Sequence, residues 1–230
     1  MTLQSQLQNH GIALISELIA ADHIAALVAF FEQGEIDRST RDGTTFGARN
    51  LLSLAPVQAI TTSPEIAACL TPLLGPDFLA VRGLFFDKTQ DANWPVAWHQ
   101  DLSVAVTPKQ DIAGWTNWSL KRGVPHVQPP ASILEQMVTL RLHLDDCDSE
   151  NGPLRVVAGS HAKGTLARNT FSALAGEVTV ITARAGDALL MRPLILHASS
   201  PARLPRHRRV LHLEFAPAGL LPSGLNWAMA

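Results

Sequence analysis

The residues of this chain best equipped for chemistry lie in Trp98-His99-Gln100-Asp101. On a strand, residues i and i+2 point to the same side, so His99 and Asp101 would present an imidazole and a carboxylate to one point. That pair suits Fe(II), and a second histidine would complete a face of two histidines and one carboxylate, with open positions opposite. The triplet alone carries little weight. With nine histidines and twelve aspartates in 230 residues, roughly 0.5 such triplets arise by chance, so the motif needs context. The context comes late in the chain. His197 ends the run DALLMRPLIL, Ser199 follows two residues later, and Arg208 stands eleven residues after His197. Antiparallel neighbours joined by a short loop would gather His197, Ser199 and Arg208 around one pocket. Arginine is the usual partner of a carboxylate that needs planar, bidentate recognition. A metal face, open metal positions and a carboxylate anchor are the elements a keto acid requires.

These groups need elements to hold them. Residues 2–9 read as a short helix, Ile12–Ile15 as a buried strand, and Ala21–Gln33 as a helix with Ile24, Leu27, Val28 and Phe31 on one face. Gly34 would cap that helix, and residues 37–49 read as a polar loop. Ile60–Leu74 reads as a helix opened by Thr-Thr-Ser-Pro. After Gly75 the texture changes to short strands at 78–88, 98–106, 137–145, 154–157, 178–182, 187–196 and 208–216, separated by Gly/Pro turns such as Asn151-Gly152-Pro153. That pattern predicts a mainly β jelly roll with flanking helices, a single domain with a helical part over about 1–75 and a core over about 76–217. In strand 137–145, Leu140, Leu142 and Leu144 would face one way and Thr139, Arg141, His143 and Asp145 the other. This suits a wall lining a polar cavity, although alternation by itself reads more simply as a half-exposed strand.

The sequence resembles the phytanoyl-CoA dioxygenase (PhyH) family of Fe(II)- and 2-oxoglutarate-dependent oxygenases. The resemblance rests on WHQD at 98–101, LDDCDSENGPLRVVAGSH at 144–161, GDALL at 186–190, and His197 with Arg208, and it runs from about Gly11 to Pro217. It implies a double-stranded β-helix, a cupin-like jelly roll. It also implies that His99, Asp101 and His197 ligate Fe(II), that Arg208 and Ser199 hold the distal carboxylate of 2-oxoglutarate, and that Thr139 and Lys88 lie near this cosubstrate. Arg209 competes for the anchor role, but parity sends it to the opposite face. Relatives that halogenate carry a small residue in place of Asp101, so its presence implies hydroxylation, with O2 consumed and succinate and CO2 released.

Substrate contacts are expected from two places. Residues 107–135 exceed the usual loop length of about 12–15 residues, which suits a lid. Trp118, His126 and Gln128 would then cover the substrate, with Trp115 beside them. A packed excursion anchored by its tryptophans is an equal reading. Arg82 and Arg141, if inward, would favour an anionic substrate. The acidic run Asp145, Asp146, Asp148 and Glu150 reads as turn chemistry, and His161 as a turn residue. Eighteen basic residues against 20 acidic ones, a net charge of −2 and 47% hydrophobic content speak against a nucleic-acid binder and against disorder. No apolar run is long enough for a membrane span, and Cys69 and Cys147 make no disulfide framework. The expectation is a cytoplasmic protein acting on a small molecule, with its oligomeric state open. Two rival readings remain. One is a non-catalytic jelly roll keeping a structural metal; against it, only three ligands are evident. The other is a metalloenzyme without 2-oxoglutarate, for which Arg208 and Ser199 would have no purpose.

Overall fold

The computed structural model describes residues 1–33, 36, 38–41, 44–174 and 177–229. Helix α1 (Leu3–Asn9) leads into strand β1 (Ile12–Ile15) and helix α2 (Ala21–Gln33). Strands β2 (Arg38–Arg41) and β3 (Thr44–Arg49) precede α3 (Ala55–Thr61) and α4 (Pro64–Leu74). Strands β4 (Phe78–Lys88), β5 (Val96–His99), β6 (Val104–Thr107), β7 (Thr116–Lys121) and β8 (Val124–Gln128) follow, then α5 (Ala131–Leu134) and β9 (Val138–His143). The remainder is β10 (Leu154–Val157), α6 (Phe171–Leu174), β11 (Thr179–Ile181), β12 (Ala188–Met191), β13 (Leu196–Ser199), β14 (Arg208–Pro217) and β15 (Asn226–Trp227).

Two antiparallel sheets form a jelly roll. The larger runs β1-β12-β9-β14-β4-β3-β2 and the smaller β11-β10-β13-β5. The helices cover the outer face of the larger sheet, where Leu140, Leu142, Ala188, Leu190, Leu211 and Leu213 share one core with Leu27, Phe31, Ile66 and Leu70. Phe31 of α2 stacks on Phe85 of β4 with ring centroids 4.1 Å apart. Arg209 fastens α2 to this face by bonding Asp145 at 2.7 Å and Glu32. Helix α4 starts where its sequence signals it, with the Ser63 hydroxyl accepting from the Ile66 amide at 3.3 Å and Pro64 in the first turn.

Four sequence readings change. Residues 37–49 are not a loop: β2 and β3 pair with each other and β3 pairs with β4, extending the larger sheet. Positions 37, 42 and 43 there, and the Gly34 cap, lie outside the described residues. Ile60 and Thr61 end a separate helix, α3, rather than opening α4. The segment 98–106 is two strands broken at 100–103. The run 187–196 is also two, because Arg192-Pro193 carries the chain from β12 in one sheet to β13 in the other; proline has no amide to continue a ladder.

Residues 107–135 also differ from a bare loop. They contain β7, β8 and α5, and β6, β7 and β8 make a third sheet with β15. Trp115 is buried and Trp118 packs beside it in a core with Val104, Val127, Leu134 and Trp227, so the reading of a packed excursion describes this segment. His126 is buried in it, with Nδ1 donating to the Val124 carbonyl at 3.0 Å. No helix among the described residues is long and apolar enough to cross a membrane.

Two outcomes follow from these cores. Leu142→Ala removes a fully buried side chain from the larger core and is expected to lower unfolding free energy by about 2–5 kcal/mol in a urea titration. Burial, with the charges of Arg82 and Lys121 adding to it, pulls His126 down to about 4 against the opposing Val124 carbonyl. The unfolded imidazole titrates near 6.5, so the unfolded chain binds the extra proton between those values and stability falls as pH drops from about 6.5 towards 4. Melting temperatures of His126→Asn across that range should decline less steeply than those of the wild type.

Candidate active site

The pleat sends one side of each strand of the larger sheet into the barrel. Strand register aligns these inward residues in rows. Lys88 lies opposite Arg208, and Phe86 opposite Val210 and His143. Arg49, Leu84, His212 and Arg141 form a third row, and Arg82, Glu214 and Thr139 a fourth. The smaller sheet faces them with His99, His197, Ser199 and Leu154. Together they enclose a cavity of about 300 Å³ lined by Arg49, Arg82, Arg141 and Arg208, by Asp101 and Glu214, and by the three histidines His99, His197 and His212.

His197 pairs with His99 across β13 and β5, and their rings lie 4.1 Å apart. Asp101 completes the group. Its Oδ1 is 3.8 Å from His99 Nε2 and its Oδ2 3.7 Å from His197 Nε2. One ligand atom from each of the three residues falls within 4.8 Å of the others. Each Nδ1 lies beside a backbone carbonyl two residues back, Ala97 for His99 at 2.8 Å and Ile195 for His197 at 2.9 Å. A carbonyl only accepts, so Nδ1 carries the hydrogen and the Nε2 lone pair is left to a metal. Asp101 Oδ2 is buried without a hydrogen-bond partner. Burial pushes its carboxyl upward, but the surrounding His197, His212, His99 and Arg82 outweigh this and hold it well below the usual carboxylate range. An orphaned anionic oxygen between two imidazole lone pairs fits a divalent cation.

His99 and Asp101 do not meet by strand parity, since β5 ends at His99. Gln100 turns the chain. Its buried amide donates to the carbonyls of Leu194 at 2.6 Å and Gly164 at 2.9 Å, and accepts from the Leu166 amide at 2.8 Å. The Asp101 amide donates to the Pro193 carbonyl at 2.9 Å. Gln100 is therefore a positioning residue, one that appears in the sequence motif without an assigned role.

At one end of the cavity, Arg208 is 4% exposed. It donates to the Gly152 carbonyl, and its Nε has no partner. Gly152 suits this place because it adopts φ +62° and an added Cβ would lie 2.8 Å from the Ser200 carbonyl oxygen. Lys88 is fully buried next to it, donating to Ser199 Oγ at 3.1 Å and to the Ser200 carbonyl at 2.7 Å. Burial first, then the neighbouring Arg208 charge, pulls Lys88 down to about 7. Ser199 and Arg208 come together from opposed sheets, not from hydrogen-bonded neighbours. Arg209 points outward to Asp145, as parity requires.

Of the other sequence candidates, Arg82 and Arg141 face the cavity, but both are engaged. Arg82 Nη1 meets Glu214 at 2.9 Å and the Ser103 carbonyl at 3.3 Å; Arg141 Nη1 lies 3.0 Å from His212 Nδ1. Thr139 is buried but sits opposite Glu214, roughly 20 Å along the sheet from Arg208 at about 3.3 Å per residue, and so not beside that anchor. Trp118, His126 and Gln128 do not line the cavity. Trp118 packs in the third sheet's core, His126 is buried there, and Gln128 accepts from Asn117 at 2.8 Å. Asp148 caps its turn by accepting from Glu150 and Asn151, and His161 meets the Gln8 carbonyl. His212 and Glu214 were readable from the alternation that starts at Arg208. Arg49 was not, because its strand read as a loop.

A model of the phytanoyl-CoA dioxygenase (PhyH) family matches residues 7–210. A sequence search of curated proteins gives no match. Among solved structures, the epimerase SnoN from nogalamycin biosynthesis, in complex with Fe3+, alpha-ketoglutarate and nogalamycin RO, superposes with a TM-score of 0.69 at 18% identity, covering 94% of this chain and 82% of that one. HygX from Streptomyces hygroscopicus, with nickel and 2-oxoglutarate bound, gives 0.67 at 16% identity, with 95% and 89% covered. EctD from S. alaskensis in its apoform gives 0.72 at 16% identity, with 94% and 76% covered. At these identities the structural likeness is one of fold.

The geometry predicts that anaerobic Fe(II) raises the melting temperature of the wild type, as any ligand of the folded state does, and leaves Asp101→Ala unmoved. Gln100→Leu, which keeps all three ligands but releases the turn, should weaken Fe(II) binding by roughly 10–100-fold, the usual effect of losing an outer support.

Proposed function

The chain belongs to the phytanoyl-CoA dioxygenase (PhyH) family, and from that premise we propose that it is an Fe(II)- and 2-oxoglutarate-dependent dioxygenase that hydroxylates an unactivated C–H bond of a small organic molecule. His99, Asp101 and His197 would hold the iron. Arg208, with Ser199 and Lys88, would hold 2-oxoglutarate. Bound there, Fe(II), 2-oxoglutarate and O2 supply an oxidant for C–H bonds, with release of succinate and CO2.

The observation that carries this reading is the pairing of a three-ligand metal face with a buried guanidinium that has no carboxylate partner among the described residues. A buried cation is costly unless an anion joins it. Arg208 stands in the same cavity as the metal face, so an anion reaching from one to the other answers both needs. A dicarboxylic keto acid has that form. A structural metal would need no such anchor, and three protein ligands leave the coordination open, as a catalytic site requires.

The chain's own residues have distinct tasks here. The Ala97 and Ile195 carbonyls keep each ligating ring in one tautomer. Gln100 holds Asp101 in place. Lys88 ties β4 to β13 through Ser199 and Ser200, which sets the spacing between the two sheets at the cosubstrate end. Leu84, Phe86, Trp94, Val96 and Leu154 form the apolar part of the wall and exclude water from a reactive site.

Anaerobic addition of Fe(II) and then 2-oxoglutarate tests the assignment. A visible metal-to-ligand charge-transfer band should appear in the wild type. Arg208→Ala should weaken 2-oxoglutarate binding by roughly 30-fold or more, the ~2 kcal/mol expected when one partner of a buried charge pair is truncated. In air, succinate formation should vanish in Asp101→Ala and His197→Ala. A well-folded wild type without the band would defeat the assignment, and a product that gains no oxygen atom would defeat hydroxylation while leaving the cofactors standing.

A further inference from the structure

Among the described residues, charge in the cavity does not balance. Four arginines, Arg49, Arg82, Arg141 and Arg208, line it against two carboxylates, Asp101 and Glu214. Glu214 is taken by Arg82 at 2.9 Å, and Asp101 belongs to the metal face. Resting on the function proposed above, Fe(II) would bring two positive charges and 2-oxoglutarate two negative ones, so loading the site leaves the excess of guanidinium as it was. Among the described residues that excess has no counter-charge, which suits a further anion.

Arg49 is placed to take it. It ends β3 opposite Leu84, half-buried on the cavity wall. Unlike Arg82 and Arg141, it has no hydrogen bond or ion pair to a described residue. Arg141 is less available, being 7% exposed and bonded to His212. Two other cations gather beside Arg49's end of the cavity. Arg82 and Lys121 both donate to Ser103, Arg82 to its carbonyl and Lys121 to its hydroxyl at 2.8 Å. This end lies away from Arg208: two strands and four residues of register separate the two arginines, roughly 16 Å between backbones at about 4.8 Å per strand and 3.3 Å per residue.

We propose that the substrate carries a carboxylate or equivalent small anionic group, that Arg49 receives it at the end of the cavity away from Arg208, and that its apolar body lies along Leu84, Phe86, Trp94 and Val96 towards the metal face. A cavity of about 300 Å³ is at the small end of the range for ligand sites, which selects a compact organic acid over a bulky conjugate. Burial, then the charges of Arg82 and Arg122, lowers the Arg49 pKa, with Glu214 opposing. This is the response of a cation among cations, and an arriving anion relieves it. Arginine suits this task because its fork matches a carboxylate.

The test uses the protein loaded anaerobically with Fe(II) and 2-oxoglutarate, whose charge-transfer band reports on a second ligand entering the cavity. The probes are matched pairs, hexanoate with hexanamide and phenylpropanoate with phenylpropanamide, which differ in charge and little in shape. Expected is a saturable shift of the band by the acids at millimolar concentration, with the acids bound about tenfold more tightly than the amides or better. Arg49→Met should bring the acids down to the amides' affinity without altering the amides, and Arg49→Lys, which keeps a cation, should retain part of the preference and serves if the methionine variant fails to fold. The proposal is overturned if acids and amides bind alike in the wild type, if neither series shifts a band that has formed, or if Arg49→Met leaves acid affinity unchanged. It is also overturned if Arg49→Met abolishes the band itself, which would make Arg49 a cosubstrate residue. A wild type that forms no band defeats the functional reading, and this inference falls with it.

Discussion

Strands β9 and β14 are buried on both faces, and the rest of the molecule is arranged around that constraint. The pleat gives such a strand no solvent side on which to leave a polar residue. Its leucines, Leu140 and Leu142 on β9 and Leu211 and Leu213 on β14, meet the helices. The alternate positions are then forced into the barrel, and they are Thr139, Arg141 and His143 on one strand and Arg208, Val210, His212 and Glu214 on the other. Charged groups in such a place are tolerated only when paired or when a ligand completes them. The outer leucine face and the inner charged face are thus a single device. Hydrophobic burial outside holds a polar cavity open inside, and among the described residues that cavity carries more guanidinium than carboxylate.

That logic makes the two ends of the cavity unlike. At the Arg208 end the cations are deep, and Lys88 spends its hydrogen bonds on Ser199 and Ser200. Those contacts fix the separation of the sheets rather than neutralise charge. At the Arg82 end a carboxylate is present, and Glu214 compensates one guanidinium only. The metal face lies between, on the smaller sheet, where His197 and His99 are cross-strand neighbours. A site assembled from opposed sheets depends on sheet spacing, so residues that never touch a ligand still govern its geometry. Gln100 is the plainest case. Its three hydrogen bonds connect the turn after β5 to the segments at 164–166 and 194, and the direction of the Asp101 carboxylate depends on that turn.

Much of this was legible in the sequence, and for physical reasons. The leucine alternation on β9 predicted the inward face of Thr139, Arg141 and His143, and the simpler half-exposed reading fell because helices cover the other side; Asp145, expected on the inward face, lies past the end of β9 and bonds Arg209 on the outer side instead. His99, Asp101, His197, Ser199 and Arg208 do converge on one cavity. The route to convergence was misread in two places. Asp101 lies past the end of its strand, and His197 sits within a strand of the opposite sheet from Arg208. Local pattern shows which way a side chain points along one strand, but which sheet a strand joins is set by long-range pairing. The break at Arg192-Pro193 was visible as a proline, yet the apolar run on both sides of it hid the change of sheet.

The segments that read least well are those whose order comes from their neighbours. Thr44–Arg49 is polar and glycine-containing, and it becomes a strand because β4 offers it an edge. Gly47 shows the dependence directly: an added Cβ there would lie 2.1 Å from the Phe85 carbonyl oxygen, so close approach to β4 requires glycine at that position. In isolation the same glycine argues for a loop. The consequence reaches the site, because this approach brings Arg49 into register with Leu84 and onto the cavity wall. Residues 107–135 are similar: without long apolar runs, they acquire a sheet by packing Trp115, Trp118 and Val127 against Trp227 from the far end of the chain. Trp118, His126 and Gln128 were therefore assigned to the substrate for the very feature, a long stretch with little predicted structure, that tertiary packing turns into a third sheet. A cation brought to a cavity by a strand that local pattern reads as a loop is invisible to motif reading, because the pairing that orders β3 comes from β2 and β4 on either side of it.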